Sequence, residues 1–231
     1  MDIDLISSDR RTTVIFYQRL TAGMTRVSRN VLWNSIQDIW NRIINNQFIV
    51  ELSSGKLPRS RFSNYIRQDF LYLSDFRRAL LLTGLSSGSD EILDLFLRHA
   101  ANSIQVEKAL HTEFLAGQVP TKSKKSPENK AYCQFLAYHT SSGSFHRALA
   151  SILACYWIYL EVGKSLSRNL PDNAEYARWI STYSMEGSYS ESVNEVLSLC
   201  ESLELSKNDY EDFISIFREG CDHEYDFWNS A

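Results

Sequence analysis

Glycine and proline are scarce, with nine and four residues in a chain of 231, about half their usual combined share of ~12%. So few chain-breaking residues cannot supply the many tight turns of a β-sandwich or barrel, and long helices are favoured. Only four cysteines occur, Cys133, Cys155, Cys200 and Cys221, without CxxC spacing. They read as reduced thiols within helices and not as a disulfide framework. No 18-residue apolar run is present. The longest candidate, near Ala150–Leu160, contains Ser151 and is bounded by Arg147 and Glu161, which argues against a membrane-spanning helix. The opening MDIDLISSDRR places acids where a signal peptide is basic, so a cytoplasmic location is expected. Excess positive charge is also missing: 24 basic against 28 acidic residues give a net charge of −4 and a pI near 5.8. That leaves no electrostatic footprint for nucleic acid. The phosphate-loop patterns GxGxxG and GxxxxGK[ST] are absent, which removes support for nucleotide chemistry. Neither H-E-x-x-H nor Glu-x-x-His occurs, so the histidines do not present a di-iron or zinc motif.

What the sequence does have is ordinary globular composition, 44% hydrophobic and 23% charged, with an aromatic share of 13%. A chain of this size buries roughly 70% of its unfolded surface without metal or disulfide staples. Residues 1–30 are polar and weakly patterned and read as an N-terminal arm; residues 31–231 read as one helical domain. Val31–Ile49 carries Leu32, Ile36, Ile39, Trp40 and Ile43 at helical spacing. Pro58 opens a long helix to about Leu85, and Ser89 is the expected cap of Asp90–Ala116. After the loop GQVPTKSKKSPEN, Ser126-Pro127 starts a helix to about Thr140. Helices are then expected at Phe145–Leu166, Ala174–Tyr183, Tyr189–Leu203 and Asn208–Ser230, the last with Asn208 and Glu211 in a capping-box arrangement. No segment alternates with period two. The expectation is an all-α, single-domain multi-helix bundle around a central aromatic pocket.

Three helical stripes carry chemistry. Phe62, Tyr65, Asp69, Tyr72 and Phe76 share one face, and a carboxylate among four aromatics is costly to bury unless something bonds it. It is either a rim aspartate bonded to a neighbouring tyrosine or arginine, or an anchor for a flat amino-bearing heterocycle. Ala148, Ile152, Cys155, Tyr159 and Val162 form a second stripe. Its cysteine is a small core residue or, opposite a base, a nucleophile. Phe213, Phe217, Gly220, Glu224 and Phe227 form a third, in which Glu224 is a surface carboxylate or an acid/base group. Metal is the competing chemistry, through Glu107 and His111 four residues apart, which read better as an ion pair or a contact that supports another site residue.

This set of stripes resembles the TenA family, thiaminase II, an all-helical aminopyrimidine hydrolase with a haem-oxygenase-like fold. The resemblance spans about Leu32 to Trp228. It rests on LPRSRFSNYIRQDFLYLSDFRRAL (Leu57–Leu80), AYCQF (Ala131–Phe135), ACYWIYLEVG (Ala154–Gly163), WISTY (Trp179–Tyr183) and HEYDFW (His223–Trp228), in family order. It implies Cys155 as nucleophile and Glu224 as acid/base. Asp69 is implied to hold the amino edge of a pyrimidine, with Tyr72, Tyr132, Tyr159, Tyr183 and Phe227 forming the pocket. Cys155 places the chain in the cysteine-containing branch. No metal or cofactor is implied; the ligand is a small aminopyrimidine, the assembly a homotetramer with two-fold symmetry. The implied reaction converts a 4-amino-5-aminomethyl-2-methylpyrimidine into its hydroxymethyl counterpart and ammonia, with thiamin as a related substrate. Two departures stand out: Asn46-Gln47 replaces the family's usual His-Pro, and YSMEGSY after Tyr183 is one residue longer than usual. A non-catalytic pyrimidine-binding protein and a metal-dependent oxidase of similar fold are the alternatives.

Overall fold

A computed structural model describes residues 23–114, 123–184 and 187–231, apart from the side chains of residues 105–113. Ten helices carry the fold among the described residues. They are α1 Arg29–Ser35, α2 Gln37–Ile44, α3 Gln47–Ser53, α4 Arg59–Ser86, α5 Asp90–Phe114, α6 Pro127–Thr140, α7 Phe145–Ser167, α8 Ala174–Thr182, α9 Ser188–Ser202 and α10 Lys207–Asn229.

Half of the helix starts follow from cap chemistry, in which a side-chain oxygen satisfies a first-turn N–H that has no partner within the helix. Ser126 accepts from the Asn129 N–H ahead of Pro127. Asn173 accepts from the N–H groups of Glu175 and Tyr176, and Ser89 accepts from Ile92 at 3.3 Å. The last helix corrects the expected cap. Ser206 fills the position instead of Asn208, accepting from the Asp209 N–H and donating to the Asp209 carboxylate at 2.7 Å.

The stretch Val31–Ile49 is three short helices and not one. The pattern reads through the first break, at Ile36, because Leu32, Ile36, Ile39 and Ile43 all stay buried, so apolar periodicity could not show where the backbone turns. The second break is set by Asn46, whose side chain accepts from the Phe48 N–H at 2.8 Å and caps α3. The residue pair that departs from the family's His-Pro thus starts a helix by its own chemistry. The expected arm also ends inside the fold. Thr25–Arg26 (β1) pairs antiparallel with Glu204–Leu205 (β2), and Val27 is buried. Residues 1–22, Met185 and Glu186 of the YSMEGSY loop, and the side chains of Glu107 and His111 lie outside the described residues.

The bundle is organised around α7, which packs against α4, α6, α8, α9 and α10. It is buried on every face from Ala148 to Tyr159, so the stripe through Cys155 is one of several buried rows. By length and composition α7 could cross a membrane, but 83% of its most apolar window is inside the fold, as expected of a helix that is apolar all round. Beside it the aromatics form a continuous layer. Tyr65 stacks on Trp228 with centroids 4.9 Å apart and meets Trp179 edge-on at 5.7 Å, while Phe48 packs against both Tyr65 and Trp228. All four cysteines are free and buried.

Candidate active site

A cavity of about 320 Å³ opens between α4, α5, α7 and the segment from the end of α8 to the start of α9. From α4 come Asp69, Leu73, Phe76 and Leu80, whose spacings of four, three and four residues put them on one helical face. The α7 wall holds Cys155, Tyr156 and Tyr159; α5 adds His99, Asn102 and Ser103; Tyr183 and Tyr189 close the remaining side.

Of the residues expected at the site, Asp69, Cys155, Tyr159 and Tyr183 line this cavity. Tyr72, Tyr132, Glu224 and Phe227 stand in the layer behind it. Tyr72 lies 4.8 Å from Tyr132 and 5.7 Å from Phe227, centroid to centroid, and Tyr132 donates to Glu224 Oε1 at 2.6 Å. The carboxylate and the thiol interact: the charge of Glu224 acts on Cys155.

The electrostatics follow from burial. Asp69 is only 3% exposed, its Oδ2 has no hydrogen-bond partner, and desolvation alone lifts its carboxyl from 3.8 to about 7. The rim-aspartate reading fails on these facts, because neither a tyrosine nor an arginine compensates the charge. Desolvation also lifts Glu224 from 4.5 to about 8; the bond from Tyr132 opposes that rise and the charge of Asp69 adds to it. Glu224 is 1% exposed, so the surface reading fails as well. Burial pushes the Cys155 thiol well above its ordinary range, Glu224 pushes it further, and the Tyr72 hydroxyl pulls it back. Two carboxyls poised near neutrality around a buried thiol can exchange protons with a ligand at physiological pH.

Several site residues escaped the sequence reading. The Tyr65 hydroxyl lies 2.8 Å from that of Tyr159. Tyr65 had been placed on the Asp69 stripe, yet nothing local shows that its hydroxyl meets α7. Tyr189 donates to the backbone carbonyls of Cys155 and Tyr156 at 3.2 and 3.0 Å, which ties the start of α9 to α7. His99 and Tyr156 carry no local signal that places them at the cavity. A Cβ at Gly163 would overlap the Tyr183 carbonyl oxygen. Glycine is therefore what allows Tyr183 to lie against α7. Among the described residues no three His, Cys, Asp or Glu side chains gather as a metal site would need.

Fold and cavity together define an all-helical protein with a buried pocket lined by tyrosines, a thiol and Asp69, and with a second neutral-range carboxyl, Glu224, behind it. The chain belongs to the TENA/THI-4/PQQC family, whose model matches residues 33–231, in agreement with the resemblance read from its motifs. It is 30% identical to the aminopyrimidine aminohydrolase of Helicobacter pylori over 213 residues, 87% of this chain and 96% of that one. The aminopyrimidine aminohydrolase of Bacillus subtilis is also 30% identical, over 83% of this chain and 84% of its own. Among solved structures, the TenA homologue from P. horikoshii OT3 superposes with a TM-score of 0.78 at 25% identity, covering 86% of this chain and 95% of that one.

Proposed function

We propose that the protein hydrolyses 4-amino-5-aminomethyl-2-methylpyrimidine to the hydroxymethyl pyrimidine and ammonia in thiamin salvage, by cysteine nucleophilic catalysis, with thiamin as a related substrate. The observation that carries this reading is that Asp69 and Cys155 line one aromatic cavity from different helices, while Glu224, buried on a third helix behind it, acts on the thiol.

In this mechanism the unpartnered Asp69 carboxyl bonds the pyrimidine's amino group and shares a proton with a ring nitrogen. A carboxyl titrating near 7 is suited to that exchange. The ring becomes cationic, and its charge, with the Tyr72 hydroxyl, favours the Cys155 thiolate that burial disfavours. The thiolate adds to an electron-poor ring carbon, and electrons move toward the exocyclic methylene. The C–N bond breaks, and the departing nitrogen takes its proton from Glu224, which reaches it through a small shift of its carboxyl or one water. Water adds to the methylene and gives a proton to the Glu224 carboxylate. The C–S bond then breaks, restoring the aromatic ring and the thiolate.

Steady-state kinetics on the aminomethylpyrimidine and on thiamin, side by side, test the reading. Release of ammonia and the hydroxymethyl pyrimidine is expected; turnover of neither substrate overturns it. The proposal includes a cytoplasmic homotetramer with two-fold symmetry, drawn from the family. Light scattering that returned one chain mass at micromolar concentration would contradict the tetramer.

A further inference from the structure

His99 joins the cavity to the protein surface. It is buried, with Nδ1 lying 2.8 Å from the Tyr156 hydroxyl and Nε2 2.9 Å from Glu195 Oε2. The Glu195 side chain is 47% exposed and also pairs with Arg98 at 3.4 Å. Tyr156 and His99 both line the cavity, and Tyr156 follows Cys155 directly on α7.

The polarity of this chain is determined by its ends. A bare imidazole nitrogen facing a carboxylate oxygen at 2.9 Å would set lone pair against lone pair, so Nε2 carries a hydrogen and donates to Glu195. Burial holds the ring below its ordinary histidine value, and a neutral imidazole has only one N–H. Nδ1 is therefore bare and accepts the Tyr156 O–H. With its only hydrogen committed to His99, the Tyr156 oxygen offers lone pairs alone to the cavity. Its ring lies 5.7 Å from Phe76, which is seven residues along α4 from Asp69, about 10 Å on a helix. The two polar groups thus address opposite ends of a ligand.

We infer that the Glu195–His99 pair fixes Tyr156 as a hydrogen-bond acceptor toward the cavity, and that Tyr156 thereby selects pyrimidines bearing an N–H on the methylene substituent, at the end remote from Asp69. This rests on the aminopyrimidine reading above and adds to it a specificity element. His99 and Glu195 are positioning residues that act through Tyr156.

Nitrogen-15 NMR of His99 in the free protein tests the polarity without turnover. The Nε2–H tautomer is expected, with mixed tautomers in Glu195→Ala; an Nδ1–H tautomer in the unaltered protein overturns the inference. Glu195 is surface-exposed and its ion pair with Arg98 is of the weak kind, so this variant should fold, which a thermal melt checks. In kinetics on the aminomethylpyrimidine, Glu195→Ala should raise KM about 3- to 10-fold, the size of one neutral hydrogen bond, with a smaller change in kcat. Tyr156→Phe should raise KM at least as much, and the double variant should be no worse than Tyr156→Phe alone. Additive losses, or a fall in kcat at constant KM, overturn the inference. If the unaltered protein turns over no pyrimidine, the hydrolase reading fails, while the tautomer result still decides the polarity of the chain.

Discussion

Tyr132 donates its hydroxyl to Oε1 of Glu224 across 2.6 Å, joining α6 to α10 through a carboxyl that is 1% exposed. This bond stabilises the charged carboxylate and holds Glu224 below the value that burial alone would impose. Removing it in Tyr132→Phe should move Glu224 further above about 8, by roughly 0.5–1 unit for one hydrogen bond. A general acid works while protonated, so the alkaline limb of the kcat profile should shift to higher pH by that amount. A limb that stays in place would separate Glu224 from the proton delivered to the leaving group. Glu224→Gln should lose more activity on the aminomethylpyrimidine than on thiamin, whose thiazole departs without protonation.

Cys155→Ser should lower turnover by orders of magnitude while thermal stability changes little, because the hydroxyl is nearly isosteric and far less nucleophilic. Cys200 and Cys221 are buried away from the cavity lining, so the same change there should cost stability and leave kcat within a few-fold. Near-normal kcat in Cys155→Ser would remove covalent catalysis from the mechanism.

Asp69→Asn should raise KM strongly and make the ligand-free protein more stable at alkaline pH. Its folded carboxyl is raised from 3.8 to about 7, so the folded state retains a proton that the unfolded state has already lost across that window. Stability therefore falls as pH rises from about 4 to about 7, and the asparagine removes that fall. The gain at pH 8 and above should be on the order of 2–4 kcal/mol, read as a higher Tm. A Tm difference that does not change between pH 5 and pH 8 would show that Asp69 is compensated by another group.

Gly163→Ala should damage the site from behind. The added Cβ would overlap the Tyr183 carbonyl oxygen, a backbone clash that no side-chain rotation relieves. The segment after α8 must move off α7, carrying Tyr183 out of the cavity wall and straining the Tyr189 bonds to the Cys155 and Tyr156 carbonyls. The expected loss is about 1–3 kcal/mol of stability together with a raised KM. Unchanged kinetics and Tm would mean that this packing has no influence on the site.

Helix positions and the all-α class are legible in the chain itself, because each rests on a local signal, and Asp69, Cys155 and Glu224 stand out there as polar or reactive groups on apolar stripes. Apolar spacing near 3.6, a serine or asparagine at a cap, and a carboxylate among aromatics can be read within one or two turns of helix. The same locality explains the errors. Leu32, Ile36, Ile39 and Ile43 keep one buried face across the first of the two breaks that divide the stretch into three helices, so their spacing conceals that turn. Only tertiary structure decided which groups meet: Tyr132 on Glu224, Tyr65 on Tyr159, and His99 between Tyr156 and Glu195, pairs separated by 92, 94, 57 and 96 residues. It also decided the charge states, for the climb of Asp69 and Glu224 toward neutrality comes from desolvation. Desolvation depends on every helix that closes over a carboxyl, and no neighbouring residue in the chain encodes it.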